Sequence, residues 1–178
     1  VTLIGIVMVP LYLRYMGSEA YGLVGFFAML QAWFQLLDMG LPLTIARQTA
    51  LFTGGSGSAL DLRRLLRVLE GIFIGVALVG CAAMVSGASV IAESWLQVRS
   101  LSIHEVKISV MIMAAVIALR WISGLYRGVI NGFERLVWLS GFNIIMATLH
   151  FVFVIPFFIL AGAGPVNFFS YQLAISII

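Results

Sequence analysis

Charge is the scarcest property of this sequence. Lysine and arginine number 10 and aspartate and glutamate 7, so 10% of the 178 residues are charged, against about 25% in a soluble globular domain. A chain this poor in charge, and 62% hydrophobic, cannot cover a water-facing surface with polar groups, so its solvent must be lipid. The few cations are scattered arginines. A nucleic-acid footprint needs them clustered on one face, which excludes nucleic acid as a partner. The single cysteine, Cys81, lies in an apolar run and has no second cysteine to pair with. It reads as a small packing residue in a helix.

Catalytic constellations are lacking too. There are no paired carboxylates, no metal-ligand spacing among His104, His150 and Cys81, and no G-x-S-x-G. The glycine-rich stretch TGGSGS (53–58) is not followed by Gly-Lys-Ser/Thr and is therefore no phosphate-binding loop. Neither an enzyme nor a cofactor or metal is expected. Residues 1–13 have no basic region and no small-residue cleavage site, so they read as helix rather than as a cleavable signal. The sequence opens and closes inside apolar runs, which reads as an internal fragment of a longer polytopic protein.

What the chain has in abundance is apolar sequence, in windows that reach or approach the roughly 20 residues needed to span a bilayer as helix. The fold class is all-α: a polytopic transmembrane bundle of about five helices plus a partial sixth, at roughly 1–13, 21–52, 69–96, 106–132, 137–160 and 168–178. Residues 14–20 form a tight connection, 61–70 a short charged segment, and 97–105 a polar connection. The second helical region, 21–52, would be ~48 Å long as one rod, more than the ~30 Å hydrocarbon core. It must tilt, protrude or break, and Gly40 and Pro42 mark the expected break. Gly71, Gly75, Gly80 and Gly87, and the four-residue repeat Gly124, Gly128, Gly132, permit close helix contact.

Orientation follows from the asymmetry of Lys and Arg. Arg47, Arg63, Arg64, Arg67, Arg127 and Arg135 fall on one side, and Arg14, Arg99 and Lys107 on the other. The second-to-third and fourth-to-fifth connections are thus expected in the cytoplasm.

Polar residues inside the apolar windows are few, and a charge there costs about 2.5–3.5 kcal/mol on insertion scales. Arg120, Ser123, Arg127, Asn131 and Glu134 recur at spacings of three and four and make one stripe. Arg120 is near mid-membrane. It reads either as a cavity cation for an anionic substrate or as the structural partner of a neighbouring helix. Arg127 is close enough to the cytoplasmic face to snorkel. Gln31, Gln35 and Asp38 make a second stripe. Asp38 is a candidate partner for Arg120, or a cap for the helix that resumes near Pro42. Ser140, Asn143, Ala147 and His150 share a face of the fifth helix, with His150 near mid-depth, as a hydrogen-bonding group or a proton carrier. The candidate cavity residues are Arg120, Arg127, Asp38, Gln31, Gln35 and His150.

Two segments carry a resemblance. Pro10, Arg14, Gly17, Tyr21 and Gly22 form P-x-x-x-R-x-x-G-x-x-x-Y-G, and Leu37, Asp38, Gly40 and Leu41 form L-D-x-G-L, followed by Arg47. They resemble the first two helices of bacterial oligosaccharide-lipid flippases, the O-antigen and polysaccharide branch of the multidrug/oligosaccharidyl-lipid/polysaccharide exporter superfamily. The stretch Y-R-G-x-x-x-G-x-E-R, from Tyr126 to Arg135, is similar to that family's fourth-to-fifth turn. The resemblance implies most of the N-terminal lobe of a two-lobe, multi-pass inner-membrane transporter. Such a protein moves an undecaprenyl-pyrophosphate-linked oligosaccharide between leaflets by alternating access, with membrane lipid and a coupling ion as further partners. Arg120 and Arg127 would meet the pyrophosphate, and Gln31 and Gln35 the sugar hydroxyls. The rivals are a drug/cation antiporter of the same superfamily, which would favour an acidic cavity, and a membrane enzyme of polysaccharide assembly such as a polymerase, which should carry a large periplasmic loop.

Overall fold

The fold, seen in a computed structural model, describes residues 2–38, 40–92 and 101–177. Among these the chain is all-α: α1 (Thr2–Leu37), α2 (Leu41–Thr53), α3 (Ala59–Val90), α4 (Ile103–Gly132), α5 (Leu136–Phe151), α6 (Val154–Ala161) and α7 (Pro165–Ser176). Three spans are long and apolar enough to cross a membrane: Ala59–Val90, Ile103–Gly132 and Leu136–Leu160. A fourth, α1 with α2, qualifies as a bent pair. The chain is a membrane protein.

The connection expected over 14–20 is a single departure from helical geometry, at Gly17 (φ 81°, ψ 168°), with helix on both sides. Only glycine takes that backbone without strain. The Leu101 N–H donates to the Glu19 carboxylate at 3.3 Å, which ties this bend to the approach to α4. The break expected at Gly40 and Pro42 is present. α1 ends at Leu37, Gly40 is left-handed (φ 77°, ψ 13°), and Pro42 sits in the first turn of α2, where its missing N–H costs nothing. The two helix axes differ by 53°.

Three details differ from the sequence reading. The third helix begins at Ala59, not Leu69. The Ser58 hydroxyl accepts the Leu60 N–H and Asp61 lies in the first turn, so the charged segment is the helix's own capped start. The expected fifth helix, 137–160, is one membrane-length span, Leu136–Leu160, with an irregular turn at Val152 and Phe153 between α5 and α6. Both residues keep right-handed helical geometry, but Pro156 has no N–H for the Val152 carbonyl, and the Ile155 N–H takes that carbonyl instead at 3.2 Å. The sixth helix begins at Pro165 rather than Phe168. The expected end of the third helix at Leu96, and Arg99, lie outside the described residues.

α4 is the hub and packs against α1, α2, α3, α5 and α7. Val106, Val110, Met113, Val116 and Leu125 on it are fully buried. One apolar cluster joins Tyr12, Leu23 and Phe27 of α1 to α4, α6 and α7. A second joins Ile45 of α2 and Phe73 of α3 to Trp121 and Leu125 of α4. The glycine contacts are selective. A Cβ on Gly128 would lie 2.5 Å from the Pro42 carbonyl oxygen, and one on Gly132 would run into the Ala46 carbonyl and the Thr49 side chain. Gly71, Gly75 and Gly124 have nothing within 4 Å. The packing reading therefore holds for Gly128 and Gly132, which seat α2, and for Gly80, where a Cβ would lie 2.6 Å from the Phe34 ring of α1, and not for the Gly71–Gly75 pair.

The Tyr126 hydroxyl donates to Glu70 at 2.8 Å, so the start of α3 and the end of α4 share one end of the bundle. That pairing of ends agrees with the split of the basic residues. In a Cys81→Ala background, an impermeant thiol reagent applied to intact spheroplasts is expected to label Ser102→Cys and spare Ser56→Cys. The reverse pattern would invert the orientation.

Candidate functional site

α1, α4, α5 and α7 wall a half-open cavity of about 960 Å³ that all six candidate residues line: Gln31, Gln35 and Asp38 from α1, Arg120 and Arg127 from α4, and His150 from α5. Ser123 and Asn143 line it too, whereas Asn131, Glu134 and Ser140 from the same sequence stripes are not part of its wall and are exposed. The stripe on α4 thus serves the cavity over its inner half only, and its outer half faces away at the end of the bundle.

Arg120 is the best-anchored of these groups. Its Nη2 donates to Gln172 Oε1 at 2.7 Å and its Nε to Ser176 Oγ at 3.3 Å. Its guanidinium carbon lies 5.3 Å from the centroid of the Phe27 ring, within cation–π range. No ion pair joins it to Asp38 among the described residues, so the pairing that the sequence offers is not formed. A guanidinium has more N–H donors than these two bonds occupy. The anchor is neutral, so the positive charge stays uncompensated toward the cavity.

Asp38 does not cap α2 through its side chain. The cap position is Gly40, and the contribution of Asp38 is its backbone carbonyl, which accepts the Leu41 N–H at 2.8 Å. Asp38 Oδ1 and Trp121 Nε1 are the buried side-chain polar atoms without a partner among the described residues. Both residues line the cavity. Buried polar atoms are ordinarily satisfied; these two have no surface open to the cavity, and Trp121 is packed against Phe34 and Phe73. The His150 Nδ1 lies 2.7 Å from the Met146 carbonyl. A carbonyl only accepts, so Nδ1 carries a proton and Nε2 is the ring's remaining hydrogen-bonding atom.

The irregular turn after α5 is part of the same site. There the carbonyls of Leu149, His150 and Phe151 lose regular intrahelical partners. Each is taken by a side chain from another helix: Leu149 by the Tyr171 hydroxyl (2.7 Å), His150 by Gln172 Nε2 (3.4 Å) and Phe151 by the Tyr12 hydroxyl (3.1 Å). Gln172, 5% exposed, therefore bridges Arg120 to the irregular end of α5. The sequence reading missed Gln172 and Ser176. Their spacing of four inside the apolar run of α7 is the signal that had marked Gln31 and Gln35.

No family model, no curated protein and no solved structure matches this chain. The functional reading rests on the cavity and on the sequence resemblance.

Proposed function

We propose that this chain forms one lobe of a bacterial inner-membrane transporter that moves a lipid-pyrophosphate-linked oligosaccharide between leaflets by alternating access. The observation that carries the reading is Arg120. Its charge is held in the bundle by neutral anchors and faces a cavity that Arg127 and His150 also line. A fixed cation of this kind suits a phosphate group. Gln31, Gln35 and Asn143 on the same wall suit hydroxyl groups. Asp38, where α1 bends toward α2, and Phe151, at the irregular turn after α5, both line the cavity, and interrupted helices border the binding sites of transporters. No bond is broken by such a protein, and the cavity asks only for binding and release. The test is complementation: in a strain lacking the gene, the full-length protein restores surface polysaccharide, and failure to restore it in the parent organism would refute the reading.

A second reading, a drug/cation antiporter, draws support from the Asp38 carboxylate on the cavity wall. Two arginines against one aspartate on the cavity wall weigh toward an anionic cargo. The two readings part at Gln172. Gln172→Glu sets a carboxylate against Arg120 at hydrogen-bond distance and neutralises it. Polysaccharide export is expected to fall at least as far as with Arg120→Lys, at unchanged protein amount. Unimpaired export with Gln172→Glu would count against an anionic cargo.

A further inference from the structure

α5 has two faces. Val137, Ile144 and Ile145 are 90%, 65% and 60% exposed and turn toward lipid. Trp138, Phe142, Asn143, Met146 and His150 line the cavity. Two of the latter form an unusual surface. Trp138 and Phe142, one helical turn apart, stack nearly parallel, with centroids 5.5 Å apart and planes 6° from each other. Trp138 remains 60% exposed. An aromatic anchor at a membrane interface turns its ring to the headgroups; this pair instead forms cavity wall.

We infer that the Trp138–Phe142 pair is a stacking platform for a sugar ring of the cargo, and so a specificity-determining site at one end of the cavity. The inference rests on the transport reading above and names which part of the cargo binds where. A pyranose presents a face of C–H groups that carry partial positive charge. The face of an aromatic ring carries partial negative charge, so the two attract when laid flat on each other. Flat contact needs a broad, exposed ring of fixed orientation, and the stacked Phe142 fixes the Trp138 indole. Sugar hydroxyls round the ring edge need donors and acceptors. Asn143, next to Phe142 in sequence, is on the same wall, and its amide makes no hydrogen bond among the described residues. Trp138 and His150 are 12 residues apart on one helix, roughly 18 Å along its axis. The sugar therefore lies toward the Arg127 end of the cavity while the diphosphate reaches the deeper Arg120.

The test uses the full-length protein in lipid nanodiscs and two probes, farnesyl diphosphate and farnesyl diphosphate carrying one N-acetylglucosamine. Wild type is expected to bind both, the sugar-bearing probe about tenfold more tightly, equal to ~1.4 kcal/mol. Trp138→Ala and Phe142→Ala should erase that advantage and leave farnesyl diphosphate binding unchanged, with Trp138→Phe retaining part of it. Trp138 is exposed, so its truncation opens no core void, and the unchanged affinity for farnesyl diphosphate reports an intact fold. An equal affinity of wild type for both probes, or a sugar advantage that survives Trp138→Ala, would overturn the platform while the transport reading stands. A parallel loss of both probes in Trp138→Ala would make the residue a structural anchor and overturn it as well. Failure of wild type to bind either probe would refute the transport reading itself.

Discussion

Arg120→Ala is expected to abolish polysaccharide export while the protein stays in the membrane at near-normal amount. Two effects on stability oppose each other. The substitution removes a charge whose placement at mid-membrane costs about 2.5–3.5 kcal/mol. It also strips Gln172 Oε1 of its 2.7 Å donor, a loss of about 1–3 kcal/mol for a buried acceptor left unpaired. The two are of similar size, so abundance changes little. The loss of the cation is uncompensated for function, because Arg127, although on the same cavity wall, is exposed and roughly 10 Å farther along α4. Arg120→Lys keeps the charge but not the fork geometry and should retain part of the activity. Asp38 is no ion-pair partner of Arg120, so Asp38→Ala is not expected to lower protein amount, and the double mutant should export no better than Arg120→Ala. A collapse of protein amount in Arg120→Ala, cured by Asp38→Ala, would restore the ion-pair reading.

The second large effect concerns α2. Gly132→Val and Gly128→Val should strip the protein from the membrane or abolish its thermal unfolding transition. Even the alanine variants should lose about 1–3 kcal/mol, as overpacked cores do. The reason is the nature of the neighbours. A new Cβ at Gly128 meets the Pro42 carbonyl oxygen at 2.5 Å and Ile45 Cγ2 at 2.9 Å, and at Gly132 it meets the Ala46 backbone and Thr49. These are backbone atoms and fully buried side chains, with Ile45 and Thr49 both at 0% exposure. They have no rotamer to escape into, so the whole helix must move off α4. Gly71→Ala and Gly75→Ala, with nothing within 4 Å, should leave stability unchanged, because packing on them is absent. Equal sensitivity at all four positions, read by thermal unfolding in detergent, would show that small residues matter here for some reason other than the α2–α4 contact.

Much of the bundle was legible because the bilayer restricts the choices. Apolar windows had to be helices, since lipid offers no partner for an open backbone. The break at Gly40 and Pro42 was visible as excess length plus two residues that interrupt helices. The irregular turn at Val152 was not, although Pro156 was in view, because 137–160 spans the bilayer as one stretch of helix and nothing forced an interruption. The charged start of α3 resembles a connection in the sequence because its arginines suit a solvated loop. The Ser58 and Asp61 capping pattern carried the correct answer.

The cavity residues were found one stripe at a time. A stripe gives the face of a single helix and says nothing about what lies opposite. Hence Gln31, Gln35, Asp38, Arg120, Arg127 and His150 could be named from the sequence, and all six line one cavity. The partners of Arg120 could not be assigned. Asp38, the natural choice by charge, is unpaired, and Gln172 and Ser176 from α7 hold the guanidinium. The aromatic platform was equally hidden, because Trp138 and Phe142 in an apolar run look the same whether they face lipid or a cavity.

The central claim is that the cavity carries an anionic lipid headgroup across the bilayer. The most direct measurement reconstitutes the full-length protein into vesicles whose two leaflets both contain a polyprenyl-diphosphate sugar with a fluorophore on the sugar, and adds an impermeant quencher outside. In protein-free vesicles only the outer leaflet is quenched. With the wild-type protein the inner pool is expected to become accessible and nearly all fluorescence to be lost, and with Arg120→Ala the inner pool should stay protected. Wild-type vesicles that quench no further than protein-free ones, or an Arg120→Ala protein that empties the inner pool at the wild-type rate, would contradict the claim.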